Sequence, residues 1–265
     1  MRTFAFVLTL LATPINAHEF WLEPQNYQVD ADGVIIAQLV NGEDFDGPTQ
    51  SYLPQRFQHF ALFFNGGTAK VPGRVGDSPA VTINAAGDGL HVFGYQSQPS
   101  VVSYNSWEKF QKFVDHKDLG DVLAMHEARA LPLEGFTEVY TRYSKSLVGA
   151  GSAAGSDSRV GLETEIVALT NPYTDDVSNG MRFALYYRND PRANVRFEVF
   201  DKSPDGTVTQ TFYVTDDDGI VTVPVQSGYS YMADAVVLRE PSDARAADTG
   251  AVWETLWANM TWAVP

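Results

Sequence analysis

Short runs of apolar and polar residues that alternate with a period of two recur through the first part of the chain. This alternation is typical of half-buried β-strands. Between residues 27 and 40 it is interrupted by Asp30-Ala31-Asp32-Gly33, a composition that favours a turn. Turns spaced by roughly 8–12 residues predict an antiparallel sandwich. Further strands are predicted at residues 57–64, 81–83, 89–95, 100–104 and 138–148.

The pattern changes to a helical one between residues 106 and 134. Two sets of residues fall at helical spacing: Trp107, Phe110, Phe113 and Val114, then Leu119, Val122, Leu123 and His126. They predict two short helices, divided near residues 116–120. We interpret this segment as a helical insertion that covers an edge or one end of a β-sandwich.

The rest of the chain returns to the strand pattern. Strands are predicted at residues 162–169, 181–187, 194–200, 207–214, 219–225, 229–238 and 253–264. The stretches Pro204-Asp205-Gly206 and Asp216-Asp217-Asp218-Gly219 favour hairpin turns. The small-residue tract 149–158 is interpreted as a mobile hairpin tip, and residues 241–250 as a polar loop.

These patterns predict an all-β protein with a small helical insertion, built as two antiparallel β-sandwich domains. The first domain is expected at residues 18–173, with its insertion at 106–134. The second is expected at residues 174–265. The boundary is placed beside Asn171-Pro172-Tyr173, which interrupts the strand pattern.

Residues 1–17 have the layout of a secretory signal peptide. A basic residue, Arg2, precedes an apolar run at residues 4–12, which is too short to span a bilayer, and Ala17 is a small residue of the kind found at cleavage sites. Cleavage after Ala17 would make His18 the first residue of the exported protein.

Composition narrows the classes of function. The formal net charge is −15, which excludes nucleic acid as a partner because such a surface repels phosphates. The chain has no cysteine, so neither disulfides nor thiolate metal sites are available, and a bacterial periplasm is favoured. After residue 17 no apolar stretch reaches ~18 residues, so no direct membrane insertion is expected.

A histidine at the N-terminus can chelate a metal through its free α-amine and its imidazole. Imidazole suits copper, nickel and zinc ions. His18 is therefore the predicted centre of a metal site, to which Glu19 would contribute as a ligand or by orienting one. Four other histidines are present: His59, His91, His116 and His126. We rank His59 and His126 first as further ligands and expect His116 to be exposed.

No catalytic signature is present, which favours a protein that is not an enzyme. One strand carries Arg142 between Tyr140 and Tyr143. This arginine could form a buried ion pair or bind a carboxylate, and we favour the ion pair.

Several stretches in the same order resemble one family of exported bacterial proteins. The residues that carry the resemblance are Ala17-His18-Glu19-Phe20-Trp21-Leu22-Glu23-Pro24, Tyr140-x-Arg142-Tyr143-x-Lys145-x-Leu147-Val148, Gly161-x-x-x-Glu165-Ile166-Val167-x-Leu169-x-Asn171-Pro172-Tyr173, Thr215-Asp216-Asp217-Asp218-Gly219 and Trp253-Glu254-x-Leu256-Trp257-Ala258-x-Met260-Thr261-Trp262. The family is described as a domain of unknown function, or as the additional periplasmic component of nickel/cobalt energy-coupling-factor transporters. The resemblance implies two β-sandwiches, the second transthyretin-like or immunoglobulin-like. It also implies a periplasmic, non-enzymatic role in delivering a transition metal to a membrane metal importer. Because no membrane segment is expected, the protein would have to work with a separate transporter or an outer-membrane receptor.

The sequence therefore leads to two hypotheses. The first is a periplasmic protein that binds nickel, cobalt or copper at His18. The alternative is a non-enzymatic β-sandwich interaction module that binds an envelope protein or a glycan, with Trp21, Trp107 and Trp253 as candidate contact residues.

Overall fold

The computed structural model describes residues 18–265, so the predicted signal peptide lies outside the described residues. Nine strands precede the helical insertion, and a single 3₁₀ turn (Pro54–Arg56) lies among them. The strands are β1 (Glu19–Pro24), β2 (Gln28–Val29), β3 (Val34–Gly42), β4 (Thr49–Gln50), β5 (Phe57–Phe64), β6 (Gly67–Lys70), β7 (Val81–Asn84), β8 (Gly89–Ser97) and β9 (Ser100–Tyr104).

The insertion consists of two helices, α1 (Trp107–Lys117) and α2 (Val122–Ala128), as the helical spacing predicted. The elements that follow are β10 (Phe136–Ala150), β11 (Thr164–Ala168), β12 (Met181–Tyr187), β13 (Asp190–Pro191), β14 (Arg196–Lys202), β15 (Val208–Val214), β16 (Ile220–Val223), β17 (Ser230–Arg239), α3 (Asp243–Thr249) and β18 (Trp253–Ala263). The all-β fold with a small helical insertion is thus confirmed.

The strands form three sheets in sandwich-like layers. The largest has ten strands in the order β15-β14-β17-β18-β10-β8-β5-β6, and β2 and β9 also pair with β10. A second sheet contains β1, β3, β4 and β7, and the third contains β11, β12, β13 and β16. The two smaller sheets pack against different parts of the large sheet. An apolar core is buried at each of these two interfaces.

The large sheet crosses the predicted boundary at residue 173. Strand β10 from the first part pairs in parallel with β18 from the end of the chain, from Glu138 opposite Trp253 to Ser146 opposite Thr261. This parallel pair is a departure from the purely antiparallel sandwiches that were predicted. A division into two folding units stays a prediction, but the two parts share one hydrogen-bonded sheet.

The helical insertion packs against the large sheet. Phe110 and Phe113 of α1 and Val122 of α2 are buried in one cluster with Trp253 and Trp257 of β18. None of the helices within residues 18–265 is long and apolar enough to cross a membrane.

Strand β1 is buried on both faces and contacts both parts of the chain. Phe20 and Leu22 belong to the core under the second sheet. Trp21 points the other way and packs with Phe200 of β14 and Met232 of β17. Because successive side chains of a strand point to opposite faces, the alternate residues of β1 contact different parts of the molecule.

Two local predictions were wrong. Residues 241–250 are not a loop throughout, because α3 forms there with Ser242 as its N-cap and Gly250 in the left-handed conformation at its end. The tract at residues 149–158 is not a hairpin tip, since β10 and β11 lie in different sheets. It packs against the core through Ala153, which is buried, and through Asp157, which forms an ion pair with Lys145.

We predict that a fragment ending at residue 173 does not fold on its own. It would leave β10 without β18 and expose Leu90, Val92 and Leu147, which pack in a core made mostly of later residues. Urea unfolding of residues 18–173, followed by circular dichroism, should show no cooperative transition. The control is the chain 18–265, which should unfold cooperatively. A sharp transition for the fragment would contradict this prediction and support a boundary at 173.

Candidate functional site

His18 lies immediately before β1, on an exposed part of the surface. Strand β1 pairs with β3 so that Glu19 lies opposite Gly42 and Phe20 opposite Asn41. The same register brings His18 beside Glu43, and its Nδ1 lies 3.1 Å from Glu43 Oε1. About half of the His18 side chain is exposed, at 53%. The first residue of the predicted mature chain is therefore reachable from solvent and paired with a carboxylate.

A tight turn after β3 positions Glu43. The backbone groups of Glu43 and Asp46 hydrogen-bond to each other in both directions, at 2.9 and 2.8 Å. Asp44 and Phe45 between them have φ angles of 51° and 57°, and the Phe45 ring is buried against Trp21. At Gly42 an added Cβ would meet Asp46 O at 2.0 Å, so this close approach requires glycine. The turn thus fixes the position of Glu43 relative to His18.

Glu19 is the next residue, but it points into the interior and away from this surface. Its Oε1 accepts a hydrogen bond from Lys117 Nζ at 2.9 Å. Lys117 also donates to Asp234 Oδ2 at 3.0 Å and to Glu198. We call Glu19, Lys117, Glu198 and Asp234 the buried ion cluster, since each is at most 5% exposed.

The electrostatics of the buried ion cluster keep Lys117 charged. Burial alone lowers the pKa of the Lys117 ammonium, but attraction to Asp234, Glu19 and Glu198 outweighs this effect and raises that pKa above its usual value. The ammonium thus supplies the positive charge among three carboxylates whose oxygens lie within 4.8 Å of one another. The place that a metal ion would take is filled by this ammonium.

The three carboxylates respond differently to the same surroundings. Burial raises the pKa of Glu19 to about 7, and it also raises the pKa of Asp234. At Glu198 burial acts in the same direction, but a hydrogen bond with His116 and the attraction of Lys117 outweigh it and lower the pKa. The pKa of Glu19 therefore lies near neutral pH.

The other histidines occupy separate places. His126 is buried, where its Nδ1 accepts a hydrogen bond from Trp253 at 3.1 Å and its Nε2 donates to Pro132 O at 2.9 Å. Both of its ring nitrogens are thus used within the core. His59 lies on β5, partly exposed, with its ring 6.0 Å from that of Phe63.

His91 and His116 also have partners of their own. His91 accepts from the backbone of Ala86 and donates to Gly89 O. His116 is exposed, as predicted, and its Nε2 lies 2.9 Å from Glu198 Oε1. Among residues 18–265, the group of three potential metal ligands that the fold assembles consists of Glu19, Glu198 and Asp234 and contains no histidine.

The sequence analysis missed Lys117, Glu198, Asp234 and Glu43. Glu198 stands between Phe197 and Val199, and Asp234 between Ala233 and Ala235. A charged residue inside an apolar strand is a signal that could have indicated a buried ion pair. Lys117 and Glu43 gave no such signal, because their roles depend on contacts made only in three dimensions.

The tryptophans proposed as a contact surface lie in or against the core. Trp21 is fully buried and Trp253 is 1% exposed, while Trp107 is partly buried against the helical cluster. A contact surface for an interaction module would have to use other residues.

Comparison with known proteins identifies one family, and this family has no described activity. A family model described as "Domain of unknown function (DUF4198)" matches residues 15–239. No curated protein matches the chain. Among solved structures, a similar one is described as "Crystal structure of tetra-tandem repeat in extending region of large adhesion protein", with 9% identity and a TM-score of 0.20 over 93% of this chain. The chain spans about half the length of that structure's chain, at 49%.

We predict that Lys117→Met strongly destabilises the protein. Removing the ammonium leaves Glu19, Glu198 and Asp234 buried without their cation, and the loss of one partner from a buried ion pair costs about 3–5 kcal/mol. Urea unfolding at neutral pH measures this loss. The matched control is Lys112→Met on the exposed face of α1, which should change the free energy of unfolding by less than about 0.5 kcal/mol. Equal small losses in both variants would contradict the prediction.

We also predict a pH-dependent effect of Glu19→Gln. Because the pKa of Glu19 rises from 4.5 to about 7 on folding, the wild type gains stability from its bound proton below about pH 4.5 and loses that gain as the pH rises through 7. Glutamine carries no charge at any pH. The variant should therefore gain stability relative to the wild type between about pH 5 and pH 7.5, by up to about 3 kcal/mol.

Urea unfolding at both pH values tests the prediction for Glu19. Glu240→Gln serves as control, since the Glu240 side chain is 66% exposed. A stability difference between Glu19→Gln and the wild type that is the same at both pH values would show that the Glu19 carboxyl does not titrate in this range.

Proposed function

The chain belongs to the family described as "Domain of unknown function (DUF4198)", and from this premise we propose that it is a non-enzymatic periplasmic protein that binds nickel, cobalt or copper at His18. The observation that carries the proposal is the exposed His18 imidazole, with Nδ1 3.1 Å from Glu43 Oε1. The metal is cargo in this proposal, to be passed to a membrane metal importer or an outer-membrane receptor.

The chemistry depends on the N-terminus of the exported chain. When residues 1–17 are removed, His18 gains a free α-amine in addition to its imidazole. The amine nitrogen and Nδ1 can bind one metal and close a chelate ring. An α-amine has a pKa of roughly 7.7–8.0, so a metal can displace its proton near neutral pH. Nickel, cobalt and copper all accept imidazole ligands.

Glu43 is suited to be the third ligand. Metal–nitrogen bonds to histidine are about 2.0–2.1 Å long and metal–oxygen bonds to carboxylates about 2.0–2.2 Å. Two neighbouring ligand atoms on one metal are then about 3 Å apart, which agrees with the His18–Glu43 distance of 3.1 Å. Asp44 and Asp46 on the same turn add negative charge, which attracts cations.

The proposed ligand set differs from the one expected from the sequence alone. Glu43 takes the place of Glu19, whose carboxylate is held by Lys117 in the interior. His126 is left out because both of its ring nitrogens are hydrogen-bonded. His59 is left out because its ring lies beside Phe63 on β5, whereas His18 is paired with Glu43. The resulting site is small and exposed, as suits an ion that must be handed on.

The alternative, an interaction module, is favoured by one observation. Strand β15 lies at the end of the large sheet, and its Phe212 and Val214 are 45% and 63% exposed. An edge strand with exposed apolar residues can pair with a strand of another protein. If the chain binds no metal, the interaction module remains as the candidate function.

We predict that residues 18–265, with His18 confirmed as the N-terminus by mass spectrometry, bind at least one of Ni²⁺, Co²⁺ and Cu²⁺ with micromolar or higher affinity. Adding one alanine before His18 removes the chelate, because the amine then belongs to another residue. Glu43→Gln removes one ligand, and each change should weaken binding by about tenfold or more, equal to about 1.4 kcal/mol. Titration calorimetry with each metal in turn measures these affinities.

The control for the metal titration is Glu240→Gln, an exposed carboxylate far along the chain that should leave the affinity unchanged. Equal affinities for the wild type and the alanine-extended chain would rule out a site built on the terminal amine. No binding at micromolar metal would reject the proposal as a whole.

A further inference from the structure

A cleft of ≈ 500 Å³ opens where β1 and β3 meet β8 and β10. Its walls include Phe20 of β1, Tyr95 of β8, and Tyr140 and Arg142 of β10. Arg56, from the 3₁₀ turn before β5, also lines it. Clefts of about 300–1,000 Å³ with aromatic walls and a few polar groups are typical of small-molecule sites.

The charge of this cleft is opposite to that of the whole protein. The part of its lining that residues 18–265 supply contains two arginines and no aspartate or glutamate, although the chain carries 33 acidic residues and a net charge of −15. The remaining polar lining is made of amide and hydroxyl groups, such as Asn41 and Ser97. The cleft is therefore suited to an anion.

Arg142 has a hydrogen-bonding group without a partner. Its guanidinium stacks on the rings of Trp257 and Tyr140, at 4.5 and 5.2 Å from their centroids. Its Nη1 is buried, yet no group within residues 18–265 accepts a hydrogen bond from it. A buried donor in this state is costly, and a bound oxygen would relieve that cost.

The carboxylates that attract the charge of Arg142 form hydrogen bonds with other groups, although Asp234 Oδ1 has no hydrogen-bond partner within residues 18–265. These carboxylates are Asp234, Glu19 and Glu138. Asp234 and Glu19 hydrogen-bond to Lys117, and Glu138 hydrogen-bonds to Tyr104 and Thr255. These groups make the burial of a guanidinium tolerable, but they leave its Nη1 donor unpaired. The sequence analysis favoured a buried ion pair for Arg142. At Nη1 no carboxylate of the described part of the chain accepts a direct hydrogen bond.

We propose that the cleft binds a small organic di- or tricarboxylate, with Arg142 holding one carboxylate inside and Arg56 a second at the rim. The planar fork of an arginine matches a carboxylate with two parallel hydrogen bonds. The rings of Phe20 and Tyr95, which stack at 4.7 Å, offer an apolar surface to a carbon skeleton. Inorganic phosphate has no such skeleton. The site uses neither His18 nor Glu43, so it stands or falls independently of the proposed metal site.

The test is titration calorimetry on residues 18–265 stripped of metal on a chelating resin. The probes are citrate, succinate, inorganic phosphate and succinamide, which is succinate without its charges. Citrate and succinate should give saturable binding. Phosphate and succinamide should bind at least about tenfold more weakly, because each lacks one feature that the cleft recognises. Metal-free protein separates this result from the outcome for His18.

Three variants assign the binding to the cleft. Arg142→Gln and Arg56→Gln should each weaken citrate binding by about tenfold or more. Arg74→Gln is the matched control and should bind as the wild type does, since the Arg74 side chain is 92% exposed and lies outside the cleft. Because Arg142 is packed between two rings, circular dichroism first checks that Arg142→Gln folds. If Arg142→Gln does not fold, the citrate affinity of Arg56→Gln, at the exposed rim, decides the test alone.

Four results would overturn the proposal: no saturable binding of citrate or succinate at millimolar concentration, unchanged affinity in every folded arginine variant, phosphate binding as tight as succinate binding, or succinamide binding as tight as succinate binding.

Discussion

One ammonium group, that of Lys117, is buried against three carboxylates that come from distant parts of the chain. Glu19 lies 98 residues before it, and Glu198 and Asp234 follow it by 81 and 117 residues. Charges of this kind are expensive to bury, and the expense is offset only when all partners are in place. The helical insertion, the first strand and two strands of the large sheet must therefore take up their relative positions together.

The alternation of side chains along β1 determines which part of the molecule each face of this strand contacts. Glu19 and Trp21 face the strands that come late in the chain, and Glu23 lies 3.7 Å from Lys202 on that side. Phe20 and Leu22 face the core under the second sheet, and Phe20 also lines the arginine-bearing cleft. His18 lies just before the strand begins and is exposed, and the buried side chain of its neighbour Glu19 anchors the backbone beside it. A rigid support of this kind is what a small binding site requires.

The local pattern of apolar and polar residues was enough to predict the strands, but it did not predict the residues of the candidate site. The predicted limits 57–64, 100–104 and 181–187 coincide with β5, β9 and β12, because alternating apolar residues and flanking turns determine them locally. Helix α3 was missed although Ser242 and Gly250 carry its cap signals, since its short alanine-rich segment has no apolar face. His18 could be proposed from the cleavage pattern alone. Its neighbour Glu43 and the partners of Lys117 depend on pairings between distant segments, which one sequence does not reveal.

The position of β1 has a consequence for the order of folding. Its carbonyl at Leu22 accepts a hydrogen bond from Thr261 Oγ1, across 239 residues of sequence. Strand β1 pairs with β3, which is close in sequence, but its contact with β18 requires residue 261 to be in place. Contacts of such long range slow folding, because the entropy of closing the loop is lost before any contact compensates for it. The packing of β1 against β18 is therefore expected to form later in folding than its local pairing with β3.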